Sequence, residues 1–421
     1  MQGFILSLTG SKFVMTLVIA VFFTSLASGS RAQAQHDNRA QAQAGHQHGV
    51  HRRAAGLALG AAFSPSGELW IAALDEKARL FVQTSGDLGR SWGARKLLDT
   101  AGDRVVADGE NRPKVAFGPN GWVVVSYTRA LGQAFTGDVR MLRSENGGNN
   151  FSPAFTVHDD RQKISHRFES TAFDSKGDLY VVWLDERDVA HAHVPAKTGG
   201  KHGAHNGSSV FGKVSVDGGK TFGPDLRLAG ASCECCRIAL VEAQQAGMVA
   251  MWRQVFPKNI RDHAIAPLSD LGREKSPTRA TEDQWEIAAC PHHGPGLANA
   301  SDGGFHSVWF GLRGGKAAVH YGLLNAAGKP AGPVRDLPDE RAEHADIAAN
   351  GNDVAVVWRS FDGERTRLRA WLSKDGGGYF EVRELASSDR DNDHPRLVTR
   401  NGESWVVWRT EREIHVFKLA A

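Results

Sequence analysis

Three of the four cysteines occupy four consecutive positions, Cys233, Cys235 and Cys236 within Ser232-Cys233-Glu234-Cys235-Cys236-Arg237. The fourth, Cys290, opens Cys290-Pro291-His292-His293. Thiolate and imidazole together make a soft to borderline ligand set. It suits copper, above all copper(I), or zinc, and does not suit calcium or magnesium. The C-x-x-C ligand pairs of ordinary zinc modules are missing. Disulfides are the competing chemistry, for instance Cys290 with one member of the triplet. A mixed outcome joins one disulfide to a metal held by the remaining thiols.

Which chemistry applies depends on compartment, and the N-terminus speaks to that. Lys12, an apolar run over 13–26 and Ala32-Gln33-Ala34 read as a secretory signal over residues 1–34. The run is short for a membrane span, so the mature chain is expected to be exported, periplasmic or secreted, with no span of its own. Residues 35–56 form a polar tail carrying His36, His46, His48 and His51. A second histidine-rich segment holds His191, His193, His202 and His205. Both segments suit a labile store of metal ions, and a solvated linker is the plainer reading. A formal charge of +3 on 421 residues, with basic residues dispersed, points away from nucleic acid.

The elements that must bring the two cysteine segments together repeat along residues 57–421. Each unit has an extended segment, a glycine-containing turn and a run ending in an aromatic, as in Phe168 to Phe173 followed by Leu179 to Trp183. Units recur about every 50 to 65 residues, the spacing of four-stranded propeller blades. Both cysteine segments precede an equivalent apolar run, Ile238 to Val241 and Gly296 to Asn299. Equivalent places on adjacent repeats can meet in space.

Four units also carry a Ser-x-Asp/Asn-x-Gly turn followed by an aromatic. These begin at Ser85, Ser144, Ser215 and Ser373 and end at Trp92, Phe151, Phe222 and Phe380. The acidic or amide side chain caps backbone amides, glycine takes the left-handed position and the aromatic plugs the sheet. These turns resemble the Asp-box (BNR) repeats of the sialidase superfamily. The resemblance implies an all-β propeller, and the unit count favours seven blades, with the six of sialidases as the alternative. The last unit, from Asp393, has three strand-like runs; residues just before 57 are expected to supply its outer strand.

In such a propeller the segments leading into the innermost strands gather around one channel mouth. They contain the four cysteines with His166, His292, His293, His344 and His394, so these nine residues are the candidate metal ligands. The same level holds Arg112, Arg167, Arg237 and Arg396, while Arg253, Arg359 and Arg409 follow a tryptophan in second strands. An arginine-rich rim suits a carboxylate-bearing sugar. A sialidase also needs a tyrosine paired with a glutamate, and Tyr127, Tyr180, Tyr321 and Tyr379 stand at the wrong places in the repeat. The expected function is therefore an exported propeller that binds copper, with zinc as alternative, in copper handling or tolerance. Its partner would be the ion or another exported metal-handling protein, and redox chemistry at the site is compatible with the ligands. A glycoside hydrolase or sugar-binding module using the rim is one alternative, and an interaction scaffold with structural disulfides is the other.

Overall fold

Val, Ile, Trp and Ala alternate with polar residues in short runs separated by glycine turns, and such runs can bury a face only by pairing as sheets. In the computed structural model, which describes residues 56–191, 207–287 and 289–420, they form seven antiparallel sheets. Six have four strands, and the seventh has three among the described residues. The proposed outer strand from the residues before 57, like the signal and the His36, His46, His48 and His51 tail, lies outside them. Among the described residues helix is confined to Arg187–His191 and three short 3-10 turns. Among the described residues no helix is long and apolar enough to cross a membrane.

The first strands are Gly60–Phe63, Lys114–Phe117, His166–Phe173, Ala239–Ala243, Gly296–Asn299, Ala342–Asn350 and Arg396–Arg400. Each contributes residues to the wall of one central channel, so the architecture is a seven-bladed β-propeller. Gly60–Phe63 lies against Arg396–Arg400, which closes the ring. Second strands carry the heaviest load of the core. Trp183, Trp252, Trp358 and Trp408 hold equivalent places there and are fully buried between blades.

The four Ser-x-Asp/Asn-x-Gly turns all join third to fourth strands. In the blade-3 copy, Ser215 Oγ donates to Asp217 Oδ1 at 2.8 Å, and Thr221 N and Oγ1 donate to the same carboxylate at 2.8 and 2.6 Å. Gly219 N donates to Ser215 Oγ at 2.8 Å. Asp87, Asn146 and Asp375 repeat the pattern. Glycine is needed at Gly148 for two reasons: φ is +81°, and a Cβ would stand 2.4 Å from the Trp70 ring of blade 1. Blade 5 lacks the serine, yet Asn325 Oδ1 still accepts from Ala327 N and Lys329 N at 3.0 Å each. The turns thus lock blade to blade on one face and leave the opposite face to the loops that carry chemistry.

Candidate metal and channel-mouth sites

The link from blade 3 into blade 4 makes a tight turn at Glu234 and Cys235, and Ala231 takes a left-handed φ of 56°. Cys233 N is tied to Arg253 O at 2.9 Å. This turn folds the Cys-x-Cys-Cys run on itself. Cys233 Sγ to Cys235 Sγ is 3.8 Å, Cys235 to Cys236 is 3.9 Å and Cys236 to Cys233 is 3.9 Å. Cys290, arriving between blades 4 and 5, has its sulfur within 4.8 Å of Cys233 and Cys235. All four are free thiols, and the three of the triplet are buried. Four thiolates about 2.3 Å from a tetrahedral ion would stand about 3.8 Å apart along each edge. The triplet already has that spacing.

The cluster does not carry four equal charges. The neighbouring sulfurs of Cys235, Cys236 and Cys290, with Arg261, hold the pKa of Cys233 well below the ordinary thiol value despite burial. Donation to Cys233 pushes Cys235 well up and Cys290 up to about 12, and burial does the same for Cys236. Arg261 Nη1 donates to Cys233 Sγ at 3.1 Å. Negative charge in the cluster is thus favoured at Cys233, beside the Arg261 guanidinium, over the other three sulfurs.

The histidines of the mouth form a column instead of joining the sulfurs. Phe310 stacks on His293 at 4.3 Å, His293 on His344 at 4.1 Å and His344 on His394 at 3.4 Å between ring centres. Gly109 makes room, since a Cβ there would stand 2.2 Å from the His394 ring. Beneath the column lies Glu110, two residues before Arg112, whose residue type alone carries no signal in the sequence. Its Oε1 accepts from Arg237 Nη1 at 2.8 Å and faces His344 Nδ1 at 3.2 Å and His394 Nδ1 at 3.7 Å. Its Oε2 accepts from Gly294 N at 2.8 Å and Arg237 N at 3.1 Å. Burial alone would raise this carboxyl; Arg237 and the imidazoles overcome it and hold it well below the usual range. Burial also holds His293, His344 and His394 well below their ordinary value, so they are neutral at pH 7. Glu110, His344 and His394 present ligand atoms within 4.8 Å of one another, as do His293, Glu343 and His344.

His166 begins the first strand of blade 3 as expected, but its ring groups with Asp138 and His158, not with the other mouth histidines. His158 and Asp138 had no signal in the sequence beyond their residue types. His292, two residues after Cys290, takes a left-handed φ of 55°. His193, His202 and His205 lie outside the described residues, as does the side chain of His191.

Every arginine of the rim is engaged by the fold. Arg112 pairs with Asp393 at 2.9 Å, Arg237 with Glu110, Arg359 with Glu343 at 2.9 Å and Arg396 with Asp346 at 3.3 Å. Arg253 donates to the carbonyls of Arg261, His293 and Phe310, and Arg409 to that of Leu74. Arg167 lies over the Phe168 ring. Four tyrosines remain to be placed. Tyr127 donates to Asp103 at 2.7 Å, Tyr321 lies 2.8 Å from His306, Tyr180 is half-buried and Tyr379 is exposed. No tyrosine lines the channel cavity of about 690 Å³, whose polar wall includes Glu110, Arg112, Lys114, Arg237, Asp346 and Arg396.

No protein-family model matches the chain. No curated protein matches it in sequence. Solved structures do match in fold. The polysaccharide lyase Uly1 is 9% identical with a TM-score of 0.53, over 89% of this chain and 92% of that one. An ulvan lyase of polysaccharide lyase family PL25 is 12% identical with a TM-score of 0.51, again over 89% and 92%. A Hadza microbial sialidase is 12% identical with a TM-score of 0.47, over 84% of this chain and 73% of that one. The chain is thus similar in fold to solved polysaccharide lyases.

Proposed function

We propose that this chain binds a thiophilic transition-metal ion at Cys233, Cys235, Cys236 and Cys290, copper(I) before zinc, in copper handling or tolerance. The observation that carries this reading is the sulfur triangle with 3.8 to 3.9 Å edges, beside a fourth thiol and the Arg261 guanidinium. Soft sulfur donors favour copper(I), and the blade framework spends the ordering cost before the ion arrives. Arg261 offsets part of the negative charge that several thiolates around a monovalent ion would create.

The protonation pattern gives the test. Three thiols have raised pKa values, so full ligation releases about three protons at neutral pH. Acidification restores those protons and opposes binding. Competition of the reduced chain against a copper(I) chelator at pH 8, 7 and 6 is expected to show affinity falling steeply with acidification, by up to about a thousandfold per pH unit for three protons released. An affinity independent of pH would contradict thiol ligation.

The second reading is a sugar-polymer enzyme or binding module working at the channel, and the fold comparisons favour it over the first. Two lyases share the fold along most of both chains, and the channel wall offers four basic side chains. Against it stands the engagement of each rim arginine, and the absence of a tyrosine from the cavity. Incubation with uronate-containing and sialylated glycans decides between them. Turnover that falls on Arg237→Gln or Arg396→Gln would put the second reading first; no turnover and no binding would remove it.

A further inference from the structure

The group at His166 has its own chemistry, independent of the sulfur cluster. Asp138 is the second residue of Gly137–Ser144, the third strand of blade 2, and His166 opens the first strand of blade 3. His158 lies in the loop between these blades. The two imidazoles are completely buried and stack in parallel at 3.9 Å, with 9° between their planes.

Three of their four nitrogens lack a hydrogen-bond partner. His158 Nδ1 stands 2.6 Å from Asp160 O. A carbonyl only accepts, so Nδ1 carries the proton and the lone pair of a neutral ring sits on Nε2. That Nε2 has no hydrogen bond, and neither nitrogen of His166 has one. What surrounds them is carboxylate. Asp138 gives Oδ2 to Arg129, and its Oδ1 faces His158 Nε2 at 3.5 Å and His166 Nδ1 at 4.0 Å. Asp185 Oδ2 and Asp160 Oδ2 stand 3.8 and 4.0 Å from His166 Nε2. Both of these carboxylates are shared with Arg187, and Asp185 also takes the Trp183 indole N–H.

A buried lone pair aimed at a carboxylate without hydrogen-bond geometry is unfavourable for both groups. Protonating both rings would stack two cations at 3.9 Å away from water. One cation between the rings and Asp138 satisfies all three at once. The Nδ1–H to carbonyl contact of His158 is also how ligating histidines are commonly oriented.

We infer that Asp138, His158 and His166 form a second metal site, taking a divalent ion of borderline character such as zinc(II). Nitrogen and oxygen donors suit that class, whereas the thiols suit a softer ion. The ligand atoms lie within 4.8 Å of one another, and because the two rings stand in parallel planes, one imidazole must also turn so that both in-plane lone pairs meet an ion at about 2.0 to 2.2 Å. The ion would tie blade 2 to blade 3 beside the mouth.

Cobalt(II) is the probe, because its spectrum separates the two sites. In the metal-free, reduced full chain, sulfur ligation gives an intense near-ultraviolet charge-transfer band, and nitrogen–oxygen ligation gives only weak visible bands. The wild type is expected to bind one cobalt(II) without charge transfer in addition to any ion at the thiols. Asp138→Asn and His158→Gln should each lose that equivalent and keep the thiolate band if wild type has one. Asp138→Asn preserves volume, so it carries the test if His158→Gln does not fold. Wild type lacking the nitrogen–oxygen equivalent, or a folded Asp138→Asn that retains it, would overturn the inference. The weak bands with no thiolate band would support the second site by itself.

Discussion

Changing Cys233, Cys235, Cys236 and Cys290 together to serine is expected to abolish tight copper(I) binding, weakening it by at least about a thousandfold. Serine keeps the volume and removes the soft donor. Among single changes, Cys233→Ser should cost most, because Cys233 is the triplet sulfur that receives Arg261. The complementary variant lacks residues 36–51 and has His191, His193, His202 and His205 changed to alanine. It should lose loosely held ions and keep the tight one, because imidazole donors hold copper(I) less tightly than a group of thiolates. Equilibrium competition on reduced proteins measures both. If the cysteine variant held copper(I) as tightly as wild type, histidines would carry the binding and the thiolate site would be wrong.

The second large effect concerns the fold that holds the mouth together. Glu110 comes from blade 2, yet it accepts from Arg237 at the start of blade 4 and Gly294 before blade 5, and faces His344 and His394 of blades 6 and 7. It is 4% exposed, so its charge is compensated by these groups and not by water. Glu110→Gln removes the charge while keeping the shape and strands the Arg237 guanidinium. Breaking a buried ion pair from one side costs about 3 to 5 kcal/mol. Urea unfolding should register a loss of that size, and the Glu110→Gln, Arg237→Met double variant should recover part of it. A Glu110→Gln protein within about 1 kcal/mol of wild type would show that the pair is not the tie it looks to be.

What was legible in the sequence follows from the range of the interactions. The side-chain caps of the Ser-x-Asp-x-Gly turns are local, none reaching beyond four residues, so residue type and spacing announce them. The tryptophans of the second strands recur at one place in the repeat, which let the units be aligned and counted. That alignment in turn placed Cys233 to Cys236 beside Cys290, because equivalent loops of adjacent blades are neighbours in any propeller. Glu110 and Arg261 were not legible. They act across the channel or between strands, and no periodicity records a partner 127 residues away, the separation of Glu110 from Arg237. His166 shows the limit between the two cases. The repeat gave its level at the start of an inner strand, but the neighbouring Asp138 and His158 determine its chemistry, and they come from the preceding blade and its exit loop.

The most direct test of the thiolate site is X-ray absorption at the copper edge of the reduced chain loaded with one equivalent of copper(I). The account predicts a first shell of three or four sulfurs and no nitrogen or oxygen scatterer. A shell dominated by nitrogen, or copper that leaves with the four cysteines in disulfides, would contradict it.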